Sequence, residues 1–397
     1  MRSVRSAALL LLVALLGTAC GATGADSRTM ARALPPDAEF THPGVLVSAS
    51  QLAAVRKNVT AGKQPWLKAY LAMRDSRYGA YKYRAEPYAD VHCPAGSKAG
   101  RGCVQEREDA IAAYTQALLF TVTGKRQHAV KAREIMDAWS ARLKRHSGQN
   151  AGLQAGWSGS TWARAAEIVR HSEGAGWPED RVRRFETMLR TAHLPHVTRK
   201  APDTNGNWDL ITTDAAIGIA VFLDDHQTFD HALARFRDRV PAYFYLEKDG
   251  PLPLTPAGSS MNTPQRLAAY WFRQTEYKDG VTQESCRNFQ HVGYSVAATA
   301  HIAETARHQG VDLYGEAEDR LTAALELHAR HQLGEPAPAW LCGGRVERNM
   351  GPDLEVAVNR GLGGSAARAL AEKTRPAGTD DLFVAWETLT HAGNPGA

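Results

Sequence analysis

Apolar residues recur at intervals of three and four along most of this 397-residue chain, and this periodicity constrains its fold more than any other feature. Ala117, Leu118, Phe120 and Val122 show the spacing within one segment, and such spacing is typical of amphipathic helices. Alternating patterns typical of strands are scarce. The periodicity predicts helices near 49–60, 64–75, 106–123, 126–145, 160–173, 179–197, 208–223, 226–244, 262–275, 281–308 and 316–332. Helices in consecutive antiparallel pairs indicate an all-α fold, and we expect an (α/α) toroid whose inner helices line a groove; solenoids and irregular bundles share this pattern.

The first residues have the features of an export signal. Arg2 and Arg5 precede an apolar run from Ala7 to Leu16, and small residues follow through residue 25. The run is too short to span a bilayer as a helix. We therefore predict a signal peptide at 1–25 and an extracellular protein, either secreted or anchored to the membrane as a lipoprotein.

Two interpretations of the segment that ends at Cys20 stay open. Leu16-Gly-Thr-Ala-Cys20 resembles a lipoprotein cleavage box, which would leave a lipid on Cys20, and simple secretion is the alternative. Residues 26–40 are small, polar and proline-containing, which predicts a flexible tether. Residues 41–397 show no shift in composition and are expected to form a single catalytic domain.

Four cysteines remain after Cys20, and an even number in an exported chain favours disulfide bonds. Cys93 and Cys103 flank a loop rich in proline and glycine, which predicts a bond between them and leaves Cys286 to pair with Cys342. The spacing is unlike that of a zinc site, so we expect no cysteine-bound metal.

The charge balance is weakly positive. Removing Arg2 and Arg5 leaves 45 of the 47 basic residues against 42 acidic ones, a formal charge of +3. This charge is compatible with a polyanionic partner, while the lack of a basic tail or stripe argues against nucleic acid. No phosphate loop, dinucleotide fingerprint, nucleophile elbow or zinc-protease motif occurs, so no cofactor is predicted.

Four polar residues follow one stripe of the predicted helix 281–308. Glu284, Arg287, His291 and Tyr294 are spaced at i, i+3, i+7 and i+10, which places an acid, a guanidinium, an imidazole and a phenol on one helical face. A soluble helix normally buries an apolar stripe there. A buried ion pair with a hydrogen-bonded histidine and tyrosine would account for each residue alone. Four together favour a wet cavity for an acidic sugar, with Glu284 among the residues that contact the substrate.

Other residues are candidates for binding a sugar. Asn207 and Trp208 precede a helical run, where an amide can donate to a carboxylate and an indole can stack on a pyranose ring. A helix cap beside a packing tryptophan is the alternative. Trp157 can form a further sugar subsite or pack in the core, and Asn359 with Glu355 can close one end of the groove or form a solvated turn.

The chain resembles the alginate-lyase-type polysaccharide lyases, an α/α-toroid family that cleaves alginate or glucuronan. The resemblance spans roughly 42–375 and includes Ala132-Arg-Glu-Ile-Met-Asp-Ala-Trp139, Asn207-Trp208-Asp-Leu and Gln283-Glu284-Ser-Cys-Arg287-Asn-Phe-Gln-His291. The resemblance implies that Asn207, Arg287, His291 and Tyr294 line the groove and that the partner is an acidic polysaccharide.

Such a lyase cleaves a uronate polymer by β-elimination, without water or metal. The C5 proton leaves, and loss of the O4 leaving group then gives an unsaturated sugar. Asn207 and Arg287 would neutralise the sugar carboxylate as an oxyanion hole does. Tyr294 would act as the base and then as the acid for O4, with its phenolate favoured by Arg287 and a protonated His291. His291 as base and Tyr294 as acid is the alternative.

Two other functions stay open at this point. An α/α-toroid glycoside hydrolase would need two carboxylates in the groove, and Glu284 with either Glu355 or Asp209 are candidates. A non-catalytic glycan-binding lipoprotein would be tethered through Cys20 and would present an aromatic groove. Unsaturated products distinguish a lyase from both.

Overall fold

Helices account for most of the protein in its computed structural model, which describes residue 35 and residues 38–96 and 100–393. The α-helices are α1 (Ala49–Thr60), α2 (Trp66–Asp75), α3 (Cys103–Thr123), α4 (Arg126–Arg142), α5 (Ala151–Arg170), α6 (Glu179–Met188), α7 (Leu194–Val197), α8 (Gly206–Phe222), α9 (His226–Tyr243), α10 (Pro264–Tyr270), α11 (Phe289–His308), α12 (Leu313–Gln332), α13 (Glu355–Asn359), α14 (Ser365–Thr374) and α15 (Glu387–Thr390). Two short strands, β1 (Asp90–His92) and β2 (Arg145–Ser147), pair in parallel.

Helices α3, α5, α8 and α11 form the inner layer. Each packs against the next, while α4, α9 and α12 pack on the outside of α3, α8 and α11 respectively. Because an outer helix carries the chain back between successive inner helices, the inner helices run in the same direction and begin at the same end of the fold. Helix α8 is enclosed by its neighbours, and Trp208 is its one residue that is not buried. The all-α, (α/α) toroid architecture predicted from the periodicity is confirmed.

Helix α5 starts at Ala151, well before the predicted segment 160–173. Its first half contains three glycines, and glycine is a poor helix former. A Cβ at Gly156 would lie only 2.9 Å from Cγ2 of Ile211 on α8, so the close approach of the two helices requires glycine there. Packing therefore overrides local propensity in this helix.

The predicted helix 281–308 is wrong in its first part, because α11 begins at Phe289. The side chain of Asn288 caps the helix by accepting a 3.1 Å hydrogen bond from the backbone N–H of His291. A side-chain cap of this kind favours a helix that starts at the next residue, Phe289.

Residues 283–287 form a turn ahead of α11. A backbone bridge between Thr282 and Phe244 fixes the start of this turn. Glu284 and Arg287 therefore lie in a turn, and they do not share a helical stripe with the polar residues of α11 as the sequence predicted.

Both expected disulfide bonds are present. Cys93–Cys103, with an S–S distance of 2.04 Å, closes the loop before α3, and Cys286–Cys342, at 2.07 Å, ties the turn before α11 to the segment after α12. The two bonds therefore fix loops next to the end at which the inner helices begin.

The predicted signal peptide, with Cys20, lies outside the described residues, as does most of the predicted tether 26–40. The described residues all belong to one compact unit. No helix among them combines the length and the apolar character that crossing a membrane requires.

Candidate active site

The first two turns of the inner helices supply the candidate site. The polar and aromatic residues that they contribute are Arg107 from α3, Trp157 from α5, Asn207 and Trp208 from α8, and His291 and Tyr294 from α11. Backbone N–H groups in a first helical turn have no partner within the helix, and the helix dipoles place positive potential at this end. The end at which the inner helices begin is therefore suited to an anionic ligand.

Glu284 organises one side of this site. Its side chain has no exposed area, and its carboxylate accepts hydrogen bonds of 2.7 Å from Nδ2 of Asn207 and 2.7 Å from Nη1 of Arg287. The backbone N–H of Asn207 and the hydroxyl of Tyr243 also donate to it, each at 3.2 Å. Because an enclosed carboxylate cannot touch a polymer, Glu284 positions Asn207 and Arg287 and is not the substrate contact expected from the sequence.

Asn207 and Arg287 retain donors for an anionic ligand. The two N–H bonds of an amide diverge too widely to serve both oxygens of one carboxylate separately, so one Nδ2–H is shared by the oxygens of Glu284 and the second is left. Asn207 is buried, so a ligand must reach the floor of the site to meet this N–H. The Arg287 side chain is 30% exposed, and its Nη1 donates to Glu284. Because a guanidinium has five N–H donors, Arg287 keeps others for a ligand.

His291 is neutral in the free protein. Burial lowers its pKa to about 4, and the positive charge of Arg287 acts in the same direction. Its Nδ1 lies 2.6 Å from Oδ1 of Asn288, an oxygen that only accepts, so the ring proton is on Nδ1. Nε2 is therefore an unprotonated base, and the protonated His291 expected from the sequence is wrong for the free protein.

We expect the His291 imidazole to titrate near pH 4 when its ring protons are followed by NMR, with the signal assigned by comparison with a His291→Gln variant. Folding lowers this pKa from 6.5, so between pH 6.5 and about 4 the unfolded chain binds more protons at this position. The wild-type free energy of unfolding should consequently fall more steeply than that of the variant as the pH drops through this window. A titration midpoint at or above 6.5 would contradict the neutral assignment.

Tyr294 is protonated in the free protein. Burial raises its pKa, and the carboxylates of Asp380 and Asp353 raise it further. Its ring meets that of His291 edge to face, with the centroids 5.7 Å apart. The phenolate expected from the sequence does not form in this state, and the neutral hydroxyl is instead suited to donating a proton. Asn207, Arg287, His291 and Tyr294 are referred to below as the active-site cluster.

Arg107 is a residue of the site that the sequence analysis missed. Its Nη1 donates to Oε1 of Gln154 at 2.9 Å, and its guanidinium carbon lies 5.2 Å from the ring centroid of Trp157. Among the described residues no carboxylate lies within ion-pair distance of it, and its buried Nε has no acceptor. Burial lowers its pKa, which reflects the cost of enclosing a cation without an anion. In the sequence it stands between Glu106 and Glu108, where it is indistinguishable from a solvated run of charges.

The structure does not bring Asn359 to the active-site cluster. Asn359 ends α13, and the next residue, Arg360, donates to Glu304 at 2.8 and 2.9 Å. Glu304 is 13 residues beyond His291 on α11, which corresponds to about 20 Å along the helix. Asn359 therefore lies near the far end of α11, because its short helix runs beside α11 away from the site.

Two groups of side chains in the described part of the chain have ligand types suited to a metal ion. They are His42 with Glu167 and His171, and Glu106 with His146 and His193. In the second group Glu106 lies 2.9 Å from Nε2 of His146 and 3.2 Å from Nε2 of His193, so hydrogen bonds connect its members. Neither group includes a member of the active-site cluster.

Comparison with known proteins gives one family and one fold. A sequence model of the family described as alginate lyase matches residues 95–339. The crystal structure of alginate lyase A1-III from Sphingomonas species A1 has a TM-score of 0.62 and 18% identity, over 89% of this chain and 98% of that one. A tyrosine-to-phenylalanine variant of that lyase, complexed with tetrasaccharide, has a TM-score of 0.54 and 17% identity, over 81% and 88%. An alginate lyase from Bacteroides ovatus has a TM-score of 0.53 and 13% identity, over 89% and 100%. No curated sequence matches the chain. At these identities the solved structures establish the fold, while the family match covers more than half of the chain.

Proposed function

This chain belongs to the alginate lyase family and is a polysaccharide lyase, and we propose that it cleaves a polyuronate by β-elimination at the active-site cluster. The observation that carries the proposal is the convergence of Asn207 and Arg287 on Glu284, beside an unprotonated imidazole and a protonated phenol. The tetrasaccharide complex of a structural neighbour supports a polysaccharide substrate.

The first task of such a site is to neutralise the sugar carboxylate. The C5 proton is weakly acidic because the adjacent carboxylate resists further negative charge. In the proposed complex, the second Nδ2–H of Asn207 and the remaining donors of Arg287 bind this carboxylate. They then stabilise the charge that develops on it when C5 loses its proton, and one such donor is typically worth about 3 kcal/mol of barrier.

The second task is to move two protons. Nε2 of His291 takes the C5 proton, and the electron pair of the C5–H bond forms the C4–C5 double bond. The C4–O4 bond breaks, and the Tyr294 hydroxyl donates its proton to O4. The pKa values of the two groups support this division, since His291 is free to accept a proton at neutral pH and Tyr294 holds one to give.

The positions of the two groups also predict which uronate is cleaved. His291 and Tyr294 are three residues apart on α11, so they approach the sugar from one face. Removal of H5 and protonation of O4 from one face is a syn elimination. D-Mannuronate and D-glucuronate have H5 and O4 on the same side of the ring, while L-guluronate, which is epimeric at C5, has them on opposite sides.

We therefore expect polymannuronate or glucuronan to give unsaturated products, detected by their ultraviolet absorbance. Polyguluronate at equal concentration should give these products at least about tenfold more slowly. The assay is a parallel screen of these polymers with alginate, hyaluronan and heparan. A failure to form unsaturated products from any of them would overturn the proposed function, and a preference for polyguluronate would overturn the one-face geometry.

The carboxylates that were candidates for a glycoside hydrolase are all engaged. Glu284 is enclosed, Asp209 is bound by two arginines of α9, and Glu355 is bound by Arg375 at 2.7 Å. A hydrolase needs one carboxyl group as acid and another as base on either side of the scissile bond. The engagement of all three therefore favours the lyase.

Arg107 is proposed to bind the carboxylate of a neighbouring sugar. Three observations support this role. Arg107 has no carboxylate partner among the described residues, it lies in the second turn of α3, and the indole of Trp157 lies beneath its guanidinium. We expect Arg107→Met to raise KM for the polymer by about 10- to 100-fold, the value of a hydrogen bond between charged groups, with a smaller change in kcat.

The matched control for this variant is Arg142→Met, which removes an exposed arginine at the end of α4 and should leave both constants unchanged. Steady-state kinetics on one polymer would measure both variants. Equal KM values for Arg107→Met and wild type would exclude Arg107 from the binding of substrate.

We further propose that the protein acts outside the cytoplasm, as its N-terminal sequence predicts. The two disulfide bonds support an oxidising location. Whether Cys20 carries a lipid is open to a direct assay. Incorporation of labelled fatty acid into the wild type but not into Cys20→Ser would establish the lipoprotein form, and its absence from both would exclude that form.

A further inference from the structure

A cavity of about 420 Å³ opens next to Trp208, where α5 begins and the chain leads from α7 into α8. Its walls include Gly152, His196, Arg199, Lys200 and Trp208. None of the residues that line the cavity belongs to the active-site cluster, but Trp208 directly follows Asn207 in the chain. A polymer whose carboxylate is held at Asn207 therefore needs only to pass over the indole of Trp208 to enter this cavity.

The cavity carries positive charge that no carboxylate in the described part of the chain balances. Arg199 and Lys200 are exposed at its edge, and neither makes an ion pair or a side-chain hydrogen bond with a described residue. Asp209 is the one acidic residue in the walls, and each of its carboxylate oxygens accepts from an arginine, Oδ1 from Arg235 and Oδ2 from Arg239. The negative charge of Asp209 is therefore already neutralised by arginines, while the positive charges of Arg199 and Lys200 have no such partner.

The remaining walls are suited to a pyranose ring. Trp208 is half-buried and presents an aromatic face, which can stack on the apolar face of a sugar. Burial lowers the pKa of His196, and the neighbouring His146 and His193 lower it further, so a neutral imidazole is available to hydrogen-bond with hydroxyl groups. An aromatic wall, a neutral polar group and two unpaired cations together match a sugar that carries a carboxylate.

We propose that this cavity is a further uronate subsite, distinct from the one proposed at Arg107, which binds a carboxylate-bearing sugar of the polymer beyond the sugar that is cleaved. The inference rests on the proposed function for its substrate class, and it adds the direction in which the chain runs from the active-site cluster. A neutral polysaccharide would leave Arg199 and Lys200 without partners, so the subsite selects polyanionic chains.

The test compares an Arg199→Ala/Lys200→Ala double variant with the wild type on mannuronate oligomers of increasing length. A short oligomer does not reach the cavity, whereas a long one loses two contacts between charged groups at an exposed edge. We expect KM for the longest oligomers and for the polymer to rise about tenfold, and the effect to shrink as the oligomer shortens. A change in KM that is equal at all lengths, or absent at all lengths, would overturn the subsite.

The matched control is Lys68→Ala/Lys373→Ala, which removes two exposed lysines on α2 and α14 and lowers the net charge by the same amount. It should leave KM unchanged at every length. If it raises KM as much as the first double variant does, long-range attraction by the net charge explains the effect and the subsite is overturned.

A binding measurement separates failure of the subsite from failure of the proposed function. Calorimetric titration of the intact protein carrying Tyr294→Phe, with and without the two cation substitutions, reports oligomer affinity without turnover. If the wild type cleaves no polyuronate, the lyase proposal fails, but a length-dependent affinity that the cation substitutions abolish would still support the subsite. Affinity that is independent of length, or unaffected by those substitutions, would overturn it.

Discussion

Replacing Tyr294 by phenylalanine is expected to lower kcat for polyuronate cleavage by about 10²- to 10⁴-fold, the usual contribution of a general acid–base group. The substitution removes the hydroxyl that is proposed to protonate O4, and it leaves the ring contact with His291 in place. Polymer affinity should stay within about twofold, because the carboxylate is held by Asn207 and Arg287 rather than by the phenol. Initial rates of ultraviolet absorbance and calorimetric binding measure the two effects separately.

Tyr81→Phe is the matched control for this variant. Tyr81 is an exposed tyrosine whose hydroxyl contacts His128, so its substitution removes a phenolic hydroxyl away from the site. It should keep wild-type kcat. A Tyr294→Phe protein that retains most of its activity would exclude the phenol from proton transfer.

Replacing Glu284 by glutamine is expected to reduce both stability and activity. The carboxylate binds Asn207 and Arg287 from within a fully enclosed position, and a neutral amide cannot accept from all of these donors. Because Arg287 is partly exposed, we expect the free energy of unfolding to fall by about 2–4 kcal/mol, somewhat below the value for a fully buried pair. We expect kcat to fall about 100-fold, because both donors to the substrate carboxylate lose their common anchor.

Glu355→Gln separates these two effects. Glu355 is also enclosed and bound by an arginine, and Arg375 is 25% exposed against 30% for Arg287, so the two ion pairs are closely matched in burial. Chemical denaturation should show similar losses of stability in both variants, while only Glu284→Gln should lose kcat per folded molecule. Equal kcat in the two variants would show that Glu284 supports the fold and does not position the donors.

The helical architecture could be predicted from the sequence because apolar residues recur at helical spacing along most of the chain. The segment predicted at 208–223 is α8, Gly206–Phe222, and the segment predicted at 226–244 is α9, His226–Tyr243. In both helices apolar periodicity and local propensity agree with the tertiary packing. The predicted segment 160–173 misses the first half of α5 because glycines weaken the local signal there. The contact with α8 that requires glycine at position 156 depends on another part of the chain.

The turn before α11 shows a second limit of periodicity. Glu284 and Arg287 continue the spacing of His291 and Tyr294, so the sequence pattern is the same whether or not the helix continues through them. The capping side chain of Asn288 and the bond from Cys286 to Cys342 decide against a continuous helix. The Cys286–Cys342 bond was predicted from the count of cysteines, but its effect on the helix boundary was not.

The residue types of the candidate site could be predicted from the sequence, but the protonation of these residues could not. Polar groups with helical spacing identified His291 and Tyr294, whereas their protonation depends on burial by distant segments, which include the loop with Asp380. The burial of Glu284 and the lack of a carboxylate beside Arg107 likewise depend on the tertiary structure. In the sequence both residues look like ordinary members of polar segments.

The most direct test of the central claim is the chemical structure of the products from polymannuronate, determined by proton NMR with mass spectrometry. If the active-site cluster performs β-elimination, each cleavage will create one sugar with a C4–C5 double bond, seen as a vinyl proton, and the fragments will gain no water. Saturated ends, with one water added for each cleavage, would contradict the account.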